Sequence, residues 1–208
     1  MSFILSSLIG ILLGSIPTAY IFTKKLRGVD IRVTGSGSVG AMNAYEISNS
    51  KILGFIVFAI DALKGLLSVY LALVLFPIDF VNPALALLFA VFSHCFNPWL
   101  SFKGGKGLAT AFGGAILLVP FLAVIWILIW LIVFLVKKDI LFANTWAILM
   151  SLIISLSTSK VVFNYSYPAP DSISTLIIFT SAILLLIFIK HIDSLKEITK
   201  NRNIFTKR

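Results

Sequence analysis

No charged residue occurs from Met1 to Thr23, from Ile116 to Val136, from Ile140 to Ser159 or from Ile173 to Ile189. At 1.5 Å per residue each stretch reaches, or nearly reaches, across a hydrocarbon layer about 30 Å thick as a helix. The alternating polar pattern of a membrane β-barrel is missing, so helices are the expected element. The pattern predicts seven membrane segments, at about 3–23, 52–76, 80–97, 107–119, 121–136, 141–159 and 173–190, with Pro77, Pro83 and Pro120 punctuating breaks. The fourth is short and carries Gly113 and Gly114, which suits a tilted, broken or closely packed interior helix. A five-span arrangement, with the fourth and one other segment re-entrant, competes with seven.

Composition agrees with the pattern. Of the 208 residues, 59% are hydrophobic and 12% charged, with a mean hydropathy of +1.06. A soluble domain of this size could not hide so much apolar surface. The expected fold class is therefore an all-α integral membrane protein, a single polytopic domain over 1–208, multi-pass in the inner or plasma membrane. The first cations, Lys24, Lys25 and Arg27, follow the first apolar run rather than precede it, as in a retained helix and not a cleaved signal peptide. One cysteine, Cys95, excludes an internal disulfide and a cysteine-based zinc site. Two histidines, His94 and His191, are too few for a transition-metal cluster, and no metal or other cofactor is expected.

The net charge of +9 changes the picture further. With the N-terminus outside and the C-terminus cytoplasmic, the inside loops and tail hold every one of the 17 Lys and Arg residues except Lys64 and Lys160. That asymmetry explains the basicity without nucleic acid, which is not an expected partner; membrane lipids are. It also puts three polar regions on one side: the loops at 33–51 and 97–107 and the basic tail at 190–208. One cytoplasmic site can draw on all three.

The first loop, Gly35-Ser36-Gly37-Ser38-Val39-Gly40-Ala41-Met42-Asn43, formally contains G-x-G-x-x-G. A dinucleotide site would need a parallel sheet, and none fits here. What remains is a nest of backbone N–H donors beside the side chains of Ser36, Ser38 and Asn43; a plain flexible turn is the other reading. The second loop, Phe102-Lys103-Gly104-Gly105-Lys106-Gly107, is not a Walker A sequence, because Leu100 and Gly107 stand where that motif needs Gly and Ser or Thr. Two lysines among three glycines still suit an anion such as phosphate, with a helix N-terminus following near Leu108. An ordinary positive-inside loop is the alternative.

Asp61 and Lys64, three apart on one helix face, are expected to form an ion pair, since isolated charges in a membrane are costly. His94 ends the third segment next to Cys95 and is expected to be a hydrogen-bonded histidine at the membrane boundary. His191 begins the basic tail, where it either donates to a phosphate oxygen or sits in the interface.

Taken together, GSGSVGAMN, FKGGKGLAT, DALKG at 61–65 and a histidine after the last span resemble the bacterial acyl-phosphate-dependent glycerol-3-phosphate acyltransferases, over about residues 5–195. These small polytopic enzymes move a fatty acyl chain to position 1 of glycerol 3-phosphate and so make lysophosphatidate for phospholipid synthesis. The resemblance implies acyl-phosphate as donor, rather than a thioester of coenzyme A or of a carrier protein. It also implies a soluble acyl-phosphate-forming enzyme as a further partner. It assigns catalytic roles to Ser36, Lys106 and His191. Substrate contacts fall to Gly35, Gly37, Ser38, Gly40 and Asn43 in the first loop, to Lys103, Gly104, Gly105 and Gly107 in the second, and to Ser194 in the tail. The chain departs from the family pattern at Ser38 and Met42, at Glu46 where a phosphate-clamping Arg is usual, at Lys138-Asp139-Ile140-Leu141, and at Ser194 in place of Asn.

Acyl-phosphate is already an activated mixed anhydride, so the expected chemistry needs no covalent enzyme intermediate. Positioning the acceptor hydroxyl and neutralising charge on the leaving phosphate would suffice, with a substrate phosphate oxygen as a possible base. A non-catalytic lipid-binding relative and a small-solute transporter or flippase are the alternatives from other functional classes.

Overall fold

Pro17 breaks the first apolar segment. The computed structural model describes residues 1–76 and 78–205, the side chains of 193–205 excepted, and it divides the expected helix 3–23 into α1 (Ser2–Gly14) and α2 (Thr18–Arg27). Proline has no N–H to give the preceding turn, and its ring collides with the carbonyl four residues back. The carbonyls freed at the break are not left dry. Ser15 O accepts from Asn97 Nδ2 at 2.7 Å and Ile16 O accepts from Lys64 Nζ at 2.8 Å.

Beyond the first loop come α3 (Ala41–Ser48) and the long α4 (Lys51–Leu75), which Ser50 caps through its hydroxyl. Next is α5 (Val81–Cys95), whose first turn holds Pro83, a position where the missing N–H costs little. The Asp79 carboxylate anchors that end of α5, accepting from the backbone and side chain of Asn82 at 2.7 and 2.6 Å. The remaining helices are α6 (Leu108–Leu118), α7 (Pro120–Lys137), α8 (Ile140–Ser157), the short α9 (Ser159–Asn164) and α10 (Ile173–Phe205).

Among the described residues six apolar helical stretches are long enough to cross a membrane, and α6 is a shorter seventh. At 11 residues it rises about 16 Å. It nevertheless runs from one end of the bundle toward the other. Its start lies beside Ile187 of α10, and its last turn meets the segment before α10, where Tyr167 N–H donates to Leu118 O at 3.0 Å.

Close helix contact holds α6 inside. A Cβ on Gly65 of α4 would strike the carbonyl of Thr110, and one on Gly113 would strike the carbonyl of Ala62. Small residues let the two backbones touch, as is usual for helices packed in lipid. Around this pair the main core gathers Val69, Phe80, Leu87, Leu118, Ile148 and Leu176 among others. A second, smaller cluster of Ala19, Ile31, Val39, Ala44, Val57 and Leu100 underlies the two glycine-rich loops. The outer face of α7 presents Val124, Leu128, Ile132 and Val136 without cover, as a lipid-facing helix would.

The expected ion pair is present. Lys64 Nζ lies 2.8 Å from Asp61 Oδ1, both side chains 4% exposed. Because Lys64 also caps the broken first helix, the pair ties α4 to α1 and α2.

Candidate functional site

Asn43 organises the first loop from within. It is 2% exposed, and its Oδ1 accepts the Ser36 N–H at 3.1 Å. Its Nδ2 donates to Ser38 O at 2.9 Å, to Thr34 O at 3.1 Å and to Ile31 O at 3.3 Å. Every polar atom of this side chain is therefore engaged with backbone, and Asn43 holds the loop's shape rather than reaching a ligand. Gly35 takes φ +61°, where a Cβ would collide with Asn43 Oδ1. Ser36 sits exposed at the crest, and Gly37, Ser38 and Gly40 are half-buried around it.

At the entry to the loop, Asp30 caps a single 3₁₀ turn over Ile31–Val33 and pairs with Arg32 at 2.6 Å. The Arg32 hydrogen bonds beside it hold the Asp30 carboxyl down at about 2, and Asp30 in turn raises Arg32. Arg32 also lies over the Tyr20 ring, 5.1 Å from its centroid. So engaged, it is not free to clamp a phosphate.

The second loop lies flat on the end of α5. Asn97 shapes its start: its side chain accepts the Trp99 N–H at 3.1 Å, and its carbonyl accepts from Leu100 and Phe102. Gly105 N–H donates to His94 O at 3.0 Å. A Cβ at Gly105 would run into His94 Nε2 and Val39 O, and one at Gly104 into the carbonyls of His94 and Cys95. The sequence needs glycine at both places because ring and backbone occupy the space. Gly107 turns the chain at φ +83° into the N-terminus of α6. Lys103 is exposed, and Lys106, between the buried Gly105 and Gly107, is half-buried.

The two loops are joined. Val39 N–H donates to Gly104 O at 3.1 Å, which puts both on one end of the bundle. The third piece comes from α10. Gly107 sits against Ile187, and one turn later His191 is fully buried with Nδ1 2.8 Å from Ile187 O. A carbonyl only accepts, so Nδ1 carries the proton and donates, and the buried Nε2 has no partner among the described residues. The Lys106 ammonium lies within electrostatic range of that ring.

The structure thus joins the two glycine loops at Val39 and Gly104 and brings Lys106 and His191 together, while Ser36 is held by Asn43 of its own loop. Ser194 lies outside the described side chains. Glu46 is exposed on α3 and makes no ion pair among the described residues. His94, expected at a boundary, stands in the last turn of α5, 6% exposed, its Nδ1 3.9 Å from Asp61 and its ring beneath Gly105. Sequence reasoning missed Asn97 as the anchor of the second loop. Its signal was the Asn-Pro step, a common way to open a turn.

Comparison with known proteins agrees with this geometry. The family model for glycerol-3-phosphate acyltransferase matches residues 4–201. Curated relatives of that name include those of Pelagibacter ubique, 35% identical and covering 100% of this chain and 99% of that one, and of Helicobacter acinonychis, 31% identical over 92% and 89%. A Myxococcus xanthus relative is 44% identical over 63% of this chain and 68% of its own. The crystal structure of PlsY, an integral membrane glycerol 3-phosphate acyltransferase, in its glycerol 3-phosphate form superposes with a TM-score of 0.80 at 30% identity, covering 97% and 94%. Its lysophosphatidic acid form gives 0.78 over the same shares. The chain belongs to the glycerol-3-phosphate acyltransferase family.

Proposed function

We propose that this protein transfers a fatty acyl group from acyl-phosphate to the 1-hydroxyl of glycerol 3-phosphate, releasing lysophosphatidate and inorganic phosphate at the cytoplasmic face. One observation carries the reading: the Val39–Gly104 bond fuses two glycine loops, and Lys106 of the second lies within electrostatic range of a buried His191 whose Nε2 has no partner among the described residues. Two phosphates must meet at one place in this reaction, and such a site offers backbone N–H groups and a cation to their oxygens, while the unprotonated Nε2 of His191 is an acceptor for a hydroxyl.

The division of labour follows from position. Ser36, on a crest fixed from below by Asn43, contacts the acceptor. Lys106 and the Gly104–Gly105 backbone hold phosphate; a lysine about 4 Å from one negative charge gains roughly 4 kcal/mol at an effective dielectric of 20. His191 completes the site from α10. The acceptor oxygen attacks the acyl carbonyl carbon, the bond from that carbon to the phosphate oxygen breaks, and phosphate departs with its electron pair. A substrate phosphate oxygen takes the hydroxyl proton, since the His94–Asp61 pair lies beneath the loop.

The orientation we infer is N-terminus outside and C-terminus cytoplasmic, with α6 counted as a crossing; its path from Ile187 to Tyr167 supports that count. Purified protein in lipid vesicles, given glycerol 3-phosphate with either acyl-phosphate or acyl-coenzyme A, tests the donor. Product from acyl-phosphate alone is expected, and product only from the thioester would overturn the donor assignment.

A further inference from the structure

Lys190 stands immediately before the buried His191, and its side chain does not run straight out into solvent. It is half-buried, with Nζ over the Phe96 ring, 4.8 Å from the centroid. Phe96 closes α5, and its ring leans on that of Phe92, with 5.2 Å between centroids. Phe92 is 44% exposed on a helix long and apolar enough to cross a membrane, so the surface it offers meets lipid. The same Lys190 ammonium is within electrostatic range of His94 and Cys95. Those two residues are the floor of the second loop. Gly104 lies against their carbonyls, Gly105 against the His94 ring and Gly107 against the Cys95 sulfur.

We propose that Lys190 is the cation that receives the phosphate of the membrane-borne donor, a second positive charge beside Lys106. The inference rests on the acyl-phosphate reading above. Two phosphates come together in that reaction, and Lys106 supplies one cation. The other cations drawn into the protein are committed elsewhere. Lys64 is paired with Asp61 and Arg32 with Asp30. Lys190 has a ring face beneath it, and no carboxylate pairs with it among the described residues. A ring face attracts a cation without cancelling its charge, and it leaves ammonium N–H donors for an anion.

The lipid edge assigns Lys190 to the donor. An acyl-phosphate carries a fatty chain and reaches the site through the bilayer. Glycerol 3-phosphate comes from water, to which Ser36 on the first loop is exposed. A phosphate moving along the lipid face of α5 meets Lys190 beside Phe96. The flexible four-carbon stem then lets the ammonium follow that phosphate toward the Gly105–Gly107 turn.

The test measures KM for each substrate separately, in vesicles, for the full-length wild type, Lys190→Met, Lys190→Gln and Lys190→Arg. Lys190→Met removes the charge, and Lys190→Gln does so with less risk to folding. Both should raise the acyl-phosphate KM about tenfold, as expected for one charge-assisted contact at a half-exposed position. Both should leave the glycerol 3-phosphate KM within about twofold of wild type. Lys190→Arg keeps the charge and the ring contact, and should stay within about threefold for both substrates. Added salt should raise the donor KM more steeply in wild type than in Lys190→Gln. A lysine that only supported the fold would lower stability and kcat without separating the two KM values. An unchanged donor KM in Lys190→Gln, or a parallel rise in both constants, would overturn the role of Lys190 and leave the donor assignment standing. A wild type that makes no lysophosphatidate from acyl-phosphate would overturn both.

Discussion

Val39 and Gly104 share one backbone hydrogen bond, 3.1 Å from N to O, and it makes a single surface of two loops far apart in the chain. Beneath that bond the His94 ring fills the space a side chain on Gly105 would need, and the His94 carbonyl takes the Gly105 N–H. The loop that would hold phosphate is therefore shaped by α5 and by the opposite loop, and its glycines are spacers in a packed junction.

That packing makes Gly105→Ala a sharp probe. The added Cβ cannot enter without moving either His94 or the Val39 carbonyl. Displacing the loop costs it the Gly105–His94 bond and its alignment, so activity is expected to fall more than tenfold, the equivalent of about 1.4 kcal/mol. Steady-state kinetics at varied glycerol 3-phosphate checks this, and a rate within twofold of wild type would mean the loop has slack.

The Asp61–Lys64 pair is expected to matter for folding more than for chemistry. Asp61→Asn leaves the Lys64 ammonium buried without its counter-charge, a change worth about 3–5 kcal/mol. The double variant Asp61→Leu, Lys64→Met removes both charges. It should recover most of the thermal stability in detergent, less the lost cap on Ile16 O. A double variant no more stable than Asp61→Asn would show that the pair does more than neutralise itself.

Asp30 supplies a pH dependence whose sign is fixed. Its carboxyl is held at about 2 in the folded protein, against a usual 3.8, by Arg32. Its contribution is full above pH 3.8 and is lost as pH falls through 2. The difference in melting temperature between wild type and Asp30→Asn should be constant from neutral pH to about 4 and shrink below it. A difference that vanished between pH 8 and 6 would mean that another group carries the effect.

Orientation is open to labelling. On a Cys95→Ala background, single cysteines at Ser50 and Ser101 should be shielded from a membrane-impermeant reagent in intact cells, and those at Asp79 and Asp171 should react. Because the Val39–Gly104 bond holds both loops on one end, opposite results for Ser50 and Ser101 would contradict the structure as well as the orientation.

The membrane class, the bundle and the two loops were legible because they rest on composition and local pattern: charge-free runs, glycine clusters and a one-sided distribution of lysines. Asp61–Lys64 was legible as well, since three residues on a helix fix two side chains to one face. The break at Pro17 was not drawn from the sequence, although proline in an apolar run is a signal. The partners that satisfy the freed carbonyls, Asn97 and Lys64, are distant in the chain, and only the fold shows how such a break is tolerated. Asn43 was expected to meet substrate because the family resemblance places it in the substrate loop, yet its partners are backbone atoms of its own loop. The burial of His94 under Gly105 was not legible either, since tertiary packing is invisible to periodicity.

The central claim is that Lys106 meets phosphate in a transfer from acyl-phosphate to glycerol 3-phosphate. The most direct test measures lysophosphatidate and inorganic phosphate together, in vesicles at matched protein, for wild type, Lys106→Ala and Lys137→Ala. Wild type should release the two products in equal amounts, and Lys137→Ala, at the exposed end of α7, should match it. Lys106→Ala should lose about 10- to 150-fold, the 1.5–3 kcal/mol of a charge-assisted contact. Equal rates for the two variants, or phosphate released without lysophosphatidate, would contradict the account.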